Sequence, residues 1–196
     1  MHRFNKCYLV FKRIFDIVFA AGASIVLAIP LCIVAVAIKI SSKGPVIYFS
    51  DRVGINNKIF KMAKFRTMVT SAPQVATHLL PNPDDWITPV GRLIRKFSID
   101  EVPQLWNILI GELSFVGPRP ALFNQNDLIE LRTKKGIEKC VPGLTGWAQI
   151  NGRDELPIPI KVQYDEYYLK NRSFMFDIKI ILKTVEKVLN KEGVAH

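Results

Sequence analysis

At 196 residues the chain holds about one domain's worth of core, which excludes several independent globular units. Lys and Arg number 27 against 17 Asp and Glu, a formal charge of +10, which favours partners that carry negative charge, phosphates, anionic lipids or nucleic acid, without choosing among them. The three cysteines, Cys7, Cys32 and Cys140, form no CxxC pair and have no histidine at ligand spacing, which argues against a zinc motif and for reduced thiols in a cytosol-facing protein.

From Ile14 to Ile38 runs an apolar stretch of 25 residues whose only charge is Asp16, too long for a signal-peptide core. A straight helix of that length reaches roughly 37 Å, enough for a hydrocarbon layer of ~30 Å. Pro30 argues for a break, since the preceding 16 residues cover only about 24 Å. Basic residues flank both ends, with Arg3, Lys6, Lys12 and Arg13 before and Lys39, Lys43, Arg52 and Lys58 after. A re-entrant helix-break-helix keeps both clusters on the cytoplasmic side, as the positive-inside rule favours. The alternative is a spanning anchor with a proline kink. Asp16 lies three and four residues after Arg13 and Lys12, positioned for a helical ion pair near the interface.

The character changes after Gly44 and Pro45, which sets the expected boundary between an anchor, residues 1–44, and a cytoplasmic domain, residues 45–196. β-Branched and aromatic residues on either side of "GINN" predict a short hairpin or ribbon over 45–68. Residues 71–89, rich in Pro, Asn, Asp and Ser, predict a loop. Helices are expected over 90–97, 101–111, 123–138, 161–170 and 176–191. In the last, Ile178, Ile181, Leu182, Val185, Val188 and Leu189 make an apolar stripe, and Lys179, Lys183, Lys187 and Lys191 a second face, either solvated or set against lipid headgroups. The fold class is therefore α+β, mainly helical, with a re-entrant membrane segment, a small β-ribbon and amphipathic interfacial helices.

"RKFSIDEVPQLWNIL", residues 95–109, sets Asp100 beside Glu101 just before Pro103. Ser98 and Glu101 have capping-box spacing. Pro103, however, fits a helix that begins near Asp100, where its missing N–H costs nothing. That placement puts Asp100 at a helix mouth, whose free amides and partial positive charge suit a phosphate. Arg92, Arg95 and Lys96 precede the pair within about two turns, and nearby cations keep a carboxylate ionised. Downstream, "VGPRP" holds Arg119 stiffly between two prolines.

"KFRTM" at 64–68, "RKFSIDEVPQLWNILIGELSFVGPRP" at 95–120, "VPGLTGWAQINGR" at 141–153, "YDEYYLKNRSFMFDIKIILKT" at 164–184 and "FKRIFDIVFA" at 11–20 together resemble the bacterial sugar transferase family, the monotopic phosphoglycosyl transferases. The resemblance covers nearly the whole chain and matches the family's small members, which are little more than a catalytic core. It implies transfer of a sugar 1-phosphate from a UDP-sugar to a polyprenol phosphate such as undecaprenyl phosphate. The reaction would take place at the bacterial cytoplasmic membrane with the catalytic domain in the cytoplasm, and downstream glycosyltransferases would extend the product. The family's aspartate–glutamate pair falls on Asp100 and Glu101, which implies Asp100 as nucleophile on the β-phosphate with UMP leaving. Repulsion between a carboxylate and a diphosphate calls for Mg²⁺, expected on Asp100 with Glu101 supporting the metal geometry or handling the acceptor's proton, since carboxylates are both phosphoryl acceptors and Mg²⁺ ligands. Neighbouring helical residues diverge, so both acids on one ion is a tight requirement.

Lys64 and Arg66, two apart, would share one face of a strand and bracket a diphosphate; a solvated basic edge is the bland alternative. Asn151–Gly152 predicts a hairpin turn with Gln149 and Arg153 on either side, and the family pattern sets both near the nucleotide or phosphate. Arg95 and Arg119 complete the substrate-binding set. Tyr164, Tyr167 and Tyr168 form a packing stripe, and His2, His78 and His196 form no constellation. Relatives often place Ser before the helix-breaking proline, where this chain has Ile29, and Gly in the ribbon, where it has Asn57, a residue that accepts a left-handed turn. A membrane-tethered nucleic-acid binder or a bitopic scaffold would also fit the charge, but the chain carries no helix-turn-helix, zinc or RNA-binding aromatic signature. The sugar, the pathway, the polyprenol length and the oligomeric state are not encoded in any of these motifs.

Overall fold

The computed structural model describes residues 6–73, 82–152 and 156–190. Arg153 and the three histidines lie outside the described residues. Helix α1, Lys6–Ser41, is one uninterrupted 36-residue helix through Pro30, where a helix-break-helix was expected. A proline removes a single N–H from the ladder, and the turns on either side keep theirs. The two halves of α1 nonetheless rest on the same body. Ala20, Ala23 and Leu27 pack with Phe60, Met62, Leu105, Ile108 and Leu113. Further on, Leu31, Val34, Ala35 and Ile38 pack with Phe65 and Ile94. The other face exposes Val18, Phe19, Ile25, Val26, Ile29, Ile33, Val36 and Ile40. Among the described residues α1 is the one helix long and apolar enough to cross a membrane.

The expected ion pair of Asp16 with Lys12 or Arg13 does not form. Asp16, only 3% exposed, instead accepts the Phe115 N–H at 3.1 Å. Lys12 reaches Asp177 at 2.7 Å, and Arg13 donates to the carbonyls of Ile108 and Leu109 at 2.6 and 2.7 Å. Arg13 adds donors to the last turn of α3, where helical acceptors outnumber N–H groups, and Lys12 finds a buried carboxylate.

Strands β1, Ile47–Val53, and β2, Ile59–Phe65, form the expected antiparallel ribbon, with Ile47 opposite Phe65 and Val53 opposite Ile59. A 3₁₀ turn, Ile55–Asn57, joins them, and Asn56 and Asn57 take left-handed φ of 53° and 58°. Asparagine accepts this region more readily than most residues. After a 3₁₀ turn at Pro83–Trp86, helix α2, Pro89–Lys96, is capped by the Thr88 hydroxyl on the Gly91 N–H at 2.9 Å.

Helix α3, Gln104–Ile110, begins later than expected, because Ile99–Glu101 form a separate 3₁₀ turn and Pro103 caps α3. Ser98 sits at φ 54° with no side-chain cap, so no capping box forms and Asp100 stands on the 3₁₀ turn, not at the mouth of α3.

Strands β3, Ser114–Val116, and β4, Gly143–Thr145, pair in parallel and were not anticipated. Three residues flanked by Gly and Pro carry too short a pattern to read. Between them lie α4, Asn126–Lys134, and a 3₁₀ turn, Ile137–Lys139, in place of one continuous helix over 123–138. The chain breaks there at Gly136, φ 74°. Then follow α5, Trp147–Ile150, α6, Ile158–Asn171, and α7, Phe174–Leu189. The region around Asn151–Gly152 is thus the end of a short helix and not a hairpin.

Helix α7 turns Asp177 and Ile180 inward, while Leu182, Val185 and Val188 of the expected stripe stay exposed. The tyrosine stripe packs as expected. Tyr167 stacks on Trp147 with ring centroids 5.8 Å apart, and the Tyr168 hydroxyl donates to Asp177 at 2.9 Å.

Candidate active site

A cavity of about 440 Å³ opens between the β1–β2 ribbon, the turn bearing Asp100 and the α4–α6 side of the body. Seven cationic side chains line it, Arg52, Lys64, Arg66, Arg95, Arg119, Arg132 and Lys161, against two acids, Asp51 and Asp100. A chamber of this charge suits a polyanion of phosphate type.

The paired acids do different things. Glu101 accepts Lys64 Nζ at 2.7 Å and Arg119 Nη2 at 3.3 Å on the same oxygen, Oε1. Burial pushes its carboxyl up, but Lys64 and Arg119 together more than reverse this and hold it well below the usual carboxylate range. Asp100 lines the cavity, and among the described residues no side chain hydrogen-bonds it. Burial raises its carboxyl, Lys64 and Arg95 offset part of that, and the neighbouring Glu101 charge adds to it, leaving the group above its ordinary value. A 3₁₀ turn rotates successive residues by about 120°, which separates the two carboxylates. Glu101 orders the cations beside an Asp100 whose acceptor capacity is open.

The other expected residues divide. Arg95 lines the cavity and anchors its Nε on Thr67 Oγ1 at 2.9 Å. Arg119 lines it between Pro118 and Pro120. Arg66 also lines it, but its guanidinium closes the C-terminus of α1, donating to the carbonyls of Lys43 at 2.5 Å and Ser42 at 2.9 Å and to Ser42 Oγ at 2.8 Å. It lies just past the end of β2, with its Nη atoms engaged by the segment after α1. Gln149, on α5, lines the cavity and is only 9% exposed.

Arg132 and Asp165 were not anticipated. Arg132 Nε and Nη2 meet Asp165 Oδ2 at 3.0 and 2.6 Å, and Arg132 Nη1 donates to the Arg119 carbonyl at 2.8 Å. Asp165 is 1% exposed, so α4, α6 and the backbone of "VGPRP" are tied by one buried ion pair. Their sequence separation of 33 residues leaves no local signal. Arg52, read as part of a flanking basic cluster, lines the cavity and donates to the Pro120 carbonyl at 3.3 Å. Three glycines close the wall behind Arg119. A Cβ on Gly117 would stand 2.5 Å from the Val141 carbonyl, and one on Gly146 would strike the Gly117 carbonyl and lie 2.8 Å from Gln149 Oε1. Gly143 packs as closely on Gly117.

Among the described residues no group of three or more His, Cys, Asp and Glu side chains is placed to hold a metal. Asp100 offers one hard oxygen ligand with open acceptor capacity. That donor fits Mg²⁺, which commonly takes one or two carboxylates and completes its shell with substrate oxygens and water.

Residues 7–191 match the family described as bacterial sugar transferase. The chain is 40% identical over 188 residues to the uncharacterized sugar transferase EpsL of Bacillus subtilis (strain 168), covering 95% of this chain and 91% of that one. It is 41% identical over 186 residues to the UDP-glucose:undecaprenyl-phosphate glucose-1-phosphate transferase of Escherichia coli (strain K12), over 90% of this chain and 39% of that protein. Against the UDP-N-acetylgalactosamine-undecaprenyl-phosphate N-acetylgalactosaminephosphotransferase of Aeromonas hydrophila it is 37% identical over 195 residues, 96% of this chain and 46% of that one. The chain thus spans less than half of each of the last two.

Proposed function

Because this chain belongs to the bacterial sugar transferase family, we propose that it moves a sugar 1-phosphate from a UDP-sugar to a polyprenol phosphate at the cytoplasmic face of the bacterial inner membrane. Undecaprenyl phosphate is the acceptor named for the two longer relatives. One observation carries the proposal: an open carboxylate, Asp100, in a chamber whose other charged residues are mostly cations.

The Asp100 oxygen attacks the β-phosphorus of the donor. A P–O bond forms as the P–O bond to the α-phosphate breaks, and UMP leaves with that electron pair. A phosphate oxygen of the lipid acceptor then attacks the same phosphorus, and the carboxylate is released. Two steps let a water-soluble donor depart before a lipid enters. The raised Asp100 carboxyl suits a nucleophile, since basicity and phosphorus affinity rise together. Lys64 and Arg119, ordered by Glu101, bind charge on the transferring phosphoryl oxygens, and Arg95 holds the opposite edge. Mg²⁺, when bound by Asp100 and donor oxygens, would neutralise diphosphate charge that otherwise repels the nucleophile. Glu101, whose Oε1 already takes two cations, has less capacity for the ion.

The membrane arrangement is monotopic, with both ends of α1 on one side of the bilayer. Residues near both ends of α1, from Lys12 and Arg13 to Ile38, contact the body that holds the cavity, which supports both ends lying on its side of the bilayer. The exposed apolar face between them meets lipid.

Asp100→Asn should abolish UMP release from a panel of UDP-sugars and any phospho-sugar adduct seen by intact-protein mass spectrometry. Near-normal turnover by that variant would refute the nucleophile assignment.

A further inference from the structure

Gln149 is 9% exposed and lines the cavity, yet among the described residues neither its Nε2 nor its Oε1 has a hydrogen-bond partner. A buried amide left this way is costly, and native sites reserve such groups for a ligand. Gly146 packs closely against it, and a Cβ there would lie 2.8 Å from Gln149 Oε1. From this we propose that Gln149 reads the base of the donor, its amide pairing side by side with the imide edge of uracil: Oε1 accepts the N3–H, and Nε2 donates to the adjacent carbonyl. The assignment rests on the UDP-sugar reading of the site.

Position favours the base over the sugar. Asp100 stands on a turn packed against α2 and β2, whereas Gln149 stands on α5, packed against α6 and α7. The two walls meet through Arg119, whose side chain touches Glu101 and whose carbonyl takes Arg132. In-line displacement requires the leaving group to lie opposite the attacking oxygen, so UMP extends away from Asp100 toward the far wall. The chemistry agrees. A phosphate would use only the amide donor and leave Oε1 bare. A trans acetamido group points its N–H and C=O in opposite directions, so one planar amide cannot meet both. A uracil imide presents donor and acceptor next to each other, in the plane and spacing of a carboxamide. The amide can turn over to pair with cytosine, so the decisive probe is methylation of N3, not a change of base.

The test uses the full chain in lipid nanodiscs and measures equilibrium affinity for UDP and for N3-methyl-UDP, together with KM and kcat for the preferred UDP-sugar. For the wild type, N3 methylation should weaken binding about tenfold to a hundredfold. Gln149→Met, of similar length, should weaken UDP by a similar factor, raise KM more than it lowers kcat, and bind the two nucleotides alike. The wild-type arm needs no variant and so stands even if Gln149→Met fails to fold. Equal wild-type affinity for both nucleotides overturns the assignment while UMP release leaves the transferase reading standing. A Gln149→Met protein that binds UDP normally but loses UDP-sugar affinity assigns the residue to the sugar and also overturns it. No binding of any uridine nucleotide overturns both.

Discussion

Replacing Glu101 with Gln keeps the shape of the turn and removes the charge that Lys64 and Arg119 share. Two charge-assisted hydrogen bonds to one oxygen, 2.7 and 3.3 Å long, are at stake, with side chains 17%, 22% and 34% exposed. Such bonds contribute about 1.5–3 kcal/mol each, and partial exposure reduces their sum to about 2–4 kcal/mol of stability. Because the Glu101 carboxyl is held below its ordinary value, the wild-type contribution is fully present above the ordinary glutamate range and is lost as pH falls below it. The variant should therefore lie below wild type at neutral pH and converge with it in acid. The same change acts on the nucleophile. Glu101 pushes Asp100 upward and Lys64 pulls it down, so losing the first and freeing the second lowers the Asp100 carboxyl. The acid limb of UMP release should move to lower pH, while kcat at neutral pH falls about tenfold to a hundredfold and the aspartyl adduct still forms. UMP release from pH 4 to 9, with adduct mass measured at each point, reads all three. An acid limb that stays in place or moves upward would refute the division of roles between the two acids.

Asp165→Ala leaves Arg132 buried without its counter-ion and should cost about 3–5 kcal/mol in denaturant unfolding, with Arg132→Met in the same background recovering part of it. Gly146→Ala drives a methyl group into the Gly117 carbonyl and should cost about 1–3 kcal/mol and lower turnover, while leaving the α1 contacts intact by hydrogen exchange. In proteins whose only thiol is Cys7, or a cysteine at Ser42, a membrane-impermeant maleimide should label both from the cytoplasmic side of inverted vesicles. Labelling from opposite sides would end the one-sided arrangement.

Where pattern was long, the sequence carried the structure. Two dozen apolar residues gave α1, alternating β-branched and aromatic residues gave the β1–β2 ribbon, and the asparagines of "GINN" turned as their tolerance of positive φ implies. The Asp100–Glu101 pair and Arg95 were also readable, because they sit on one short segment, whereas Lys64 and Arg119, 37 and 18 residues from Glu101, stood out only through the family motifs. What escaped were partners chosen across distance. Lys12 looked made for Asp16 four residues on, yet found Asp177, 165 residues away. Arg66 shares the cavity wall with Lys64, yet its contacts with Ser42 and Lys43, far back in the chain, had no local mark. Arg132 and Asp165 carry no local mark at all, and β3 with β4 is defined by pairing partners, not by composition.

Arg13 and Arg66 fasten the hydrophobic rod to the rest of the enzyme at two separate points, one on the tail of α3 and one at the rod's own end. The rod is accordingly a beam of the building and not a mooring line. A truncated enzyme freed of it would bare Phe60, Ile108 and Phe65 and strip Phe115 of its N–H acceptor, so a detergent-free soluble version is better sought by repainting the beam's lipid face with polar residues than by cutting it away.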